Sequence, residues 1–304
     1  MKRRNLEMWK KIATKSVVAV TSVALLTACG AGEDNADGGS AVDSSGDSDK
    51  GVTDKVADAF DSTPEASEDQ LLLTNEVQGT TFEKTSDTSF DEVVDQFDDE
   101  NMRVEPAECS NIDKEREQFK QLTSASGEFK DENVVISIAL TKDKDVHKSF
   151  VDDIERCPEM TVTVHNDDLL KDAMPSDEEM QNLSPEMQDM FDGLEMDSTM
   201  KLHRQDWEPE LSSKPQDLKT TETTVNSSVA GVESNSVSYD IIGVVNGVVV
   251  MVSAAPVADM PDVDPNAPAE AITMEDASPE AKEAAKKRAA EVFDAQAKKI
   301  EDAD

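Results

Sequence analysis

The chain has 304 residues, of which 67 are Asp or Glu and 29 are Lys or Arg, so its formal net charge is -38. Such an acidic chain lacks the basic face that phosphate binding requires, which excludes nucleic acid as a partner. Val, Ile, Leu and Phe make up 63 residues, near the one-fifth level below which highly charged chains are usually disordered. The segments of the chain therefore have to be assessed one by one.

The first 28 residues have the pattern of a bacterial export signal. Residues 1–15 carry six Lys or Arg and one acid, whereas residues 16–28 carry no charge. The uncharged run is too short for a membrane-spanning helix, which needs about 20 apolar residues. It therefore indicates a signal peptide.

A lipid-attachment motif ends this segment. Leu26-Thr27-Ala28-Cys29 resembles the bacterial lipobox, in which the Cys sulfur receives a diacylglycerol and the Cys becomes the new N-terminus. The small residues Thr27 and Ala28 fit a peptidase groove, and the Cys thiolate is the nucleophile that attacks the lipid donor. We predict a lipoprotein signal peptide over 1–28 and a lipidated Cys29 bearing palmitate-type acyl chains. The alternative is an ordinary signal peptide followed by an incidental Cys.

The lipid anchor and the charge together predict a location. Without residues 1–28 the chain has a net charge of -43. Two acyl chains are sufficient for stable anchoring, and anionic lipid head groups repel an acidic body. We expect a protein held on the extracytoplasmic face of the cell membrane, with membrane lipid as its partner through the Cys29 diacylglycerol.

Residues 29–70 are predicted to form a flexible, disordered tether. Residues 30–70 are rich in Gly, Ser, Asp and Glu and contain only four Val, Ile, Leu or Phe residues. Such a segment cannot bury enough apolar surface to offset its ordering entropy. A tether of about 40 residues has an r.m.s. reach of roughly 35 Å.

Residues 71–304 are predicted to form one α+β domain, an antiparallel sheet packed with helices. Residues 71–255 contain 45 Val, Ile, Leu or Phe residues in 185, enough for a single core. In chain order, the periodicities predict a helix at 70–74, a helix at 90–97, a hairpin of 119–129 with 133–140, a helix at 148–156, a strand at 160–165, a hairpin of 236–245 with 248–254, and a helix at 278–300.

Two local signals support these elements. Asn246-Gly247 is the strongest two-residue hairpin signal, and hairpins imply antiparallel pairing. Ser278-Pro279 supplies an N-cap and a Pro at the first helical position. The helix that follows has a narrow stripe predicted to dock on the sheet: Ala289, Val292, Phe293, Gln296 and Ile300.

The cysteines are interpreted through the export signal. If Cys29 is lipidated, Cys109 and Cys157 are left as a pair in an oxidising compartment. We predict a structural disulfide, which the chain-entropy model values at about 4 kcal/mol. The alternatives are two buried free thiols or a redox couple, although the chain has no Cys-x-x-Cys pattern.

Several short motifs resemble the PknH-like sensor domain of actinobacteria, which also occurs on secreted lipoproteins. They are Asp69 to Thr74, Val104 to Cys109, Cys157-Pro158, and Val244 to Val250 around the hairpin turn. The resemblance spans about 70–300 and implies an antiparallel sheet with helices, a cleft for an unidentified ligand, and no catalytic activity. The sequence departs from the family in having no second disulfide and in an acidic, Met-rich insertion at 170–200.

We predict no enzymatic activity. Ser198-Thr199-Met200-Lys201 matches a Ser-x-x-Lys pattern in which Lys activates Ser for acyl transfer, but this short pattern is expected by chance and its companion motifs are missing. Paired carboxylates, the signature of glycosidases, carry no information in a chain with so many acids.

We also predict no metal site and no cofactor. The three histidines, His147, His165 and His203, do not have the i, i+4 spacing of a helical metal site. Met187-x-x-Met190 has the soft ligands of Cu(I), but the Met residues of 174–200 fit an apolar helix face better. Residues 47–58 begin like a calcium loop but end in Asp58 where Glu is required.

The function expected from the sequence is a non-catalytic ligand-binding or sensor module of the cell envelope. The alternative is a protein-interaction or structural lipoprotein that acts through its acidic or Met-rich surface. A deep apolar cleft would favour the first, and a filled core with a flat face would favour the second.

Overall fold

The structure is a computed structural model that describes residues 63–85, 102–110, 118, 121–165, 197–229, 232–257 and 276–303. It contains a nine-stranded antiparallel sheet packed against helices, which confirms the predicted fold class. The predictions for Cys29 and its lipobox, for the helix at 90–97 and for the calcium-like loop lie outside the described residues.

The helices and strands follow the chain in this order. The described residues contain helices α1 (Glu68–Leu71), α2 (Lys144–Arg156) and α3 (Pro279–Glu301), and strands β1 (Glu76–Val77), β2 (Thr80–Thr81), β3 (Glu83–Lys84), β4 (Met102–Glu105), β5 (Thr123–Phe129), β6 (Val134–Thr141), β7 (Glu159–His165), β8 (Asp197–Gln205), β9 (Gln216–Val229), β10 (Val232–Val245) and β11 (Val248–Pro256).

The large sheet has the strand order β3-β5-β6-β11-β10-β9-β8-β7-β4, and every neighbouring pair is antiparallel. Its centre is the predicted β10–β11 hairpin. Asn246 and Gly247 have φ values of 45° and 72°, as the type I′ turn requires. The β5–β6 hairpin also matches its prediction.

Each face of the sheet packs against a different helix. Val248, Val250 and Val252 of β11 lie in the core beneath α3, whereas Val249 and Met251 point to the opposite face and pack with α2. This alternation follows from the two-residue period of a strand. We refer to the two sides as the α3 face and the α2 face.

Helix α3 forms as the sequence predicts. The Ser278 side chain accepts a hydrogen bond from Ala281 N at 3.1 Å, and Pro279 is the first helical residue. The predicted stripe docks on the sheet, and all of its members are buried: Ala289, Val292, Phe293, Gln296 and Ile300. The helix packs on β6, β10 and β11.

Helix α2 begins four residues before the predicted start. Its cap is Asp143, whose side chain accepts a hydrogen bond from Asp145 N at 2.8 Å. The prediction used only the apolar spacing from Phe150 onward and so missed the polar first turn. Phe150 and Ile154 are buried on the α2 face.

Cys109 and Cys157 form the predicted disulfide, with an S–S distance of 2.03 Å. Cys109 lies in a 3-10 turn after the edge strand β4, and Cys157 is the C-cap of α2. Both sulfurs belong to an apolar cluster that includes Val162, Met200 and other residues of the α2 face. The bond therefore joins a sheet edge to a helix end.

Two boundaries differ from the prediction. Residues 197–205 form β8, so the last residues of the predicted insertion at 170–200 belong to the sheet; Met200 is buried in its core. The predicted helix at 70–74 is instead helical over Glu68–Leu71, because Ser67 and Gln70 form a capping box that sets its start.

The opening segment, residues 64–73, packs against the domain although its first part was assigned to the tether. Lys142 Nζ donates to Pro64 O at 2.7 Å and to Ala66 O at 2.6 Å. A Cβ on Gly247 would lie 2.2 Å from Thr63 Oγ1, so the chain enters the domain beside the β10–β11 turn. These polar contacts leave no apolar pattern for a sequence analysis to find.

Candidate functional site

The described surface contains a cleft between the opening segment and the C-terminal half of α3, which we call the α1–α3 cleft. Its position is set by Gln296, a fully buried residue of α3. Gln296 Oε1 accepts from Leu73 N at 2.8 Å, and Nε2 donates to Leu71 O at 2.9 Å. The Gln296 amide thus pairs with the backbone of the opening segment as a neighbouring β-strand would, with one accepted and one donated hydrogen bond.

Lys299 provides a third bond at the same place. Its Nζ donates to Leu72 O at 2.5 Å, while the side chains of Leu71, Leu72 and Leu73 are buried in the core of the α3 face. Burial of the Lys299 ammonium lowers its pKa below the usual value. The opening segment is therefore held by both apolar packing and side-chain hydrogen bonds.

The α1–α3 cleft is open to solvent and has a volume of about 560 Å³. Its lining includes the apolar residues Leu71, Leu73 and Ala295, of which the two leucines are almost fully buried, and it also includes two lysines. All of the lining residues are Ala66, Gln70, Leu71, Leu73, Asn75, Ala295, Lys298, Lys299, Asp302 and Ala303. The volume falls within the range of about 300–1,000 Å³ that is usual for small-molecule sites.

A second surface is the part of the α3 face that α3 does not reach. On β4, β7, β8 and β9, cross-strand rows of polar side chains lie in register; the two rows are Arg103–Thr163–Thr199–Ser228 and Glu105–Thr161–Lys201–Asn226. These side chains are exposed or half-buried, and α3 packs mainly on β6, β10 and β11. We call this surface the open sheet face.

A polar network crosses the α2 face between its apolar clusters. The Asp240 carboxylate accepts hydrogen bonds from the hydroxyls of Ser253 at 2.6 Å, Thr223 at 3.2 Å and Ser238 at 3.2 Å. Burial raises the pKa of Asp240, although these hydroxyls and the nearby Arg204 act in the opposite direction. The bonds from Thr223 of β9 and Ser253 of β11 join the neighbouring strands to β10, so the network contributes to packing.

The Asp294 carboxylate of α3 binds the loop before β9. Asp294 accepts hydrogen bonds from the backbone N–H of Ser212 and Ser213 at 2.8 and 2.9 Å, and from their hydroxyls at 2.6 Å each. These four donors lower the pKa of Asp294 despite its partial burial. In the same loop region, Trp207 and Leu211 pack against the core of the α3 face. No sequence motif indicated the Asp294 bonds.

The structure separates the residues of the Ser-x-x-Lys match. Ser198 and Lys201 are three positions apart in β8, so their side chains lie on opposite faces of the sheet. Ser198 is buried and Lys201 is exposed. The pairing that would activate the serine is therefore not formed.

The histidines are likewise not brought together. His147 is buried in α2, with Nε2 3.2 Å from Asp217 O, and burial lowers its pKa. His203 is exposed on the open sheet face beside Glu159, and the backbone of His165 ends β7. Among the described residues, no cluster of three or more His, Cys, Asp or Glu side chains has the arrangement of a metal site.

The described residues form an antiparallel α+β domain that carries the α1–α3 cleft and the open sheet face. Comparisons with protein-family models, curated proteins and solved structures gave no match. Within the described part of the chain, no helix has the length and apolar character needed to span a membrane.

Proposed function

We propose that the protein is a lipid-anchored, non-catalytic binding module of the cell envelope, and that its ligand occupies the α1–α3 cleft. The cleft supports this proposal because its volume is that of a small-molecule site and its lining combines apolar and polar residues. The resemblance to a PknH-like sensor domain implies the same kind of module. The lipobox supports attachment at Cys29.

The ligand-binding proposal is tested by a thermal-shift screen of the full-length protein with envelope lipids and glycans. Asn75 is exposed and lines the cleft, so Asn75→Trp is expected to block binding. Asn235→Trp places the same side chain at an exposed position of β10 and is the matched control. A hit that both variants retain would place the ligand elsewhere, and the absence of any hit would overturn the proposal.

The anchor is tested separately by labelling cells with a fatty-acid analogue. We expect the wild-type protein to carry the label and to partition into detergent, and Cys29→Ser to lose both properties. Labelling that persists in Cys29→Ser would contradict lipidation at this residue.

The open sheet face favours a second candidate function, the binding of a protein partner. Its side chains are polar, and no described helix covers it. Lys201→Glu alters this face, and Lys287→Glu alters an exposed position of α3 as its control. We expect in-cell crosslinking of the wild type to give a specific adduct with a partner. This adduct is expected to be lost in Lys201→Glu and kept in Lys287→Glu. To test the Met-rich segment independently, a deletion has to stop before residue 197, because β8 begins there.

A further inference from the structure

One edge of the large sheet is unpaired among the described residues. Strand β4 is the last of the nine strands, and β7 is its one described neighbour. No described backbone group forms a hydrogen bond with its outer side. Arg103 and Glu105 on this edge are well exposed, with 73% and 59% of their side-chain surface accessible. The edge is therefore open to a further strand, because an edge strand presents free N–H and C=O groups.

The side chains of β4 alternate between the two faces of the sheet. Val104 lies on the α2 face, in the apolar cluster around the disulfide. Arg103 and Glu105 lie on the open sheet face, where Arg103 Nη2 is 2.5 Å from Glu105 Oε1. The edge thus presents one base and one acid on the same face, two residues apart.

Charges on an edge strand usually prevent pairing, but this base and this acid are self-complementary. In an antiparallel pairing of two copies of β4 centred at Val104, each Arg103 lies directly opposite the Glu105 of the other copy. Opposite charges at directly opposed positions stabilise a strand pair, whereas like charges destabilise it. A parallel pairing in register would place Arg103 opposite Arg103. The charges therefore select an antiparallel strand of the same sequence.

We propose that the protein forms a symmetric dimer through its β4 edges. A two-fold axis perpendicular to the sheet passes between the two Val104 residues, so the same edge serves both copies. The sheet of one copy continues into that of the other, and the two open sheet faces lie on the same side. This inference goes beyond the proposed ligand-binding function and does not depend on it.

The dimer is expected to be weak, because the paired edge is short. Strand β4 has four residues, and Pro106, which has no N–H donor, follows it directly. Such a contact buries less than the roughly 1,200 Å² at which stable interfaces begin. We therefore expect a dissociation constant on the order of 100 µM.

Sedimentation velocity of the full-length protein in nonionic detergent measures the association, at concentrations from well below to well above this value. Wild type is expected to pass from monomer to dimer. Arg103→Glu leaves two acids on the edge and Glu105→Arg leaves two bases. Each is expected to weaken self-association about ten-fold or more, because both cross-strand charge pairs become repulsive. Lys287→Glu reverses an exposed charge of α3 and is expected to leave the association unchanged.

Exchange of the two charges shows whether the edges meet each other. An equimolar mixture of Arg103→Glu and Glu105→Arg is expected to form a heterodimer with about the affinity of wild type, because an acidic edge then faces a basic one. Both substitutions in one chain are expected to restore the homodimer. Misfolding of a variant produces neither recovery. Urea midpoints are expected to stay unchanged, because both side chains are exposed.

Three outcomes overturn the dimer, and the ligand-binding proposal is unaffected by all of them. The first is a wild type that stays monomeric over the whole concentration range. The second is association that Arg103→Glu retains and Lys201→Glu loses, which would place the contact on the open sheet face. The third is a loss of association in both single variants with no recovery in their mixture, which would mean that the β4 edge binds a different segment.

Discussion

Replacement of Gln296 measures how strongly the opening segment is held. Gln296→Leu introduces an apolar side chain of similar size and removes both hydrogen bonds, to Leu73 N and Leu71 O. Because Gln296 is fully buried, water cannot replace its amide. Each unsatisfied backbone group costs about 1–3 kcal/mol, so we expect a loss of about 2–6 kcal/mol. This is a large part of the 5–15 kcal/mol that stabilises an ordinary domain.

Urea unfolding followed by circular dichroism gives the free energy of unfolding. The midpoint is expected to fall with no change in the m-value, because the native surface area is preserved. Gln205→Leu is the matched control at an exposed position of β8, and its effect is expected to stay within about 0.5 kcal/mol. A loss below about 1 kcal/mol for Gln296→Leu would refute the assignment of both bonds.

Gln296→Glu tests the same bonds through pH. A protonated Glu has the amide's pattern of one acceptor and one donor, so it can accept from Leu73 N and donate to Leu71 O. Burial of the side chain is expected to raise its native pKa above that of the unfolded chain. Relative to wild type, the variant is then stable below the unfolded pKa of about 4.3 and loses stability as pH rises through the native pKa. A deficit that does not change with pH would contradict this geometry.

Three further predictions follow from the structure. Asp294→Ala is expected to cost about 1–2 kcal/mol in urea unfolding, because four partly exposed donors of Ser212 and Ser213 lose their acceptor. The native pKa of Asp294 is lowered, so the difference between variant and wild type is full above about pH 4 and shrinks as pH falls further. The native pKa of His147 is also lowered, so the unfolded chain gains a proton first and stability falls as pH drops below about 6.5. His147→Gln is expected to reduce the change of the urea midpoint between pH 7 and pH 5. The same pH dependence in variant and wild type would contradict the assignment. Removal of the disulfide with Cys109→Ala and Cys157→Ala is expected to cost about 4 kcal/mol, and a reductant is expected to lower the melting temperature of wild type but not that of the double variant.

The elements that the sequence predicted correctly depend on local signals. Asn246-Gly247 requires positive φ at both residues, and the structure has it. Ser278 and Pro279 determine the start of α3 through a cap and a fixed φ, independently of what the helix packs against. The Cys109–Cys157 pairing followed from counting the cysteines, given the interpretation of Cys29.

The missed elements are polar strands. Strand β9 runs from Gln216 to Val229 and consists mainly of Thr, Ser and other polar residues, so it lacks the apolar alternation by which strands are recognised. Thr nonetheless fits a strand through its branched β-carbon. Thr221 and Thr223 are buried on the α2 face, and Asp240 accepts the hydroxyl of Thr223. Only the neighbouring strand β10, which carries Asp240, explains why the hydroxyl group of Thr223 is inside.

The cleft was beyond a sequence analysis for a different reason. It forms where the opening segment meets α3, and the bond between Leu73 and Gln296 joins residues 223 positions apart. The stripe predicted that Gln296 would be buried, but nothing indicated that a backbone segment from the other end of the chain would satisfy its amide. The lysines of the rim looked like an ordinary positively charged helix end.

The hydrogen bond between Leu73 and Gln296 also determines when the opening segment can be held in place. A ribosome makes the chain from its N-terminus, so Leu71, Leu72 and Leu73 exist long before the residues that bind them. Until Gln296 and Lys299 have been added, these leucines have no α3 to cover them and their backbone groups are open to water. A chain shortened by about ten residues at its C-terminus lacks Gln296 and Lys299, so residues 71–73 would lose their hydrogen bonds to α3. Helix α3 therefore secures residues 71–73 only after Gln296 and Lys299 have been synthesised, more than 220 residues later in the chain.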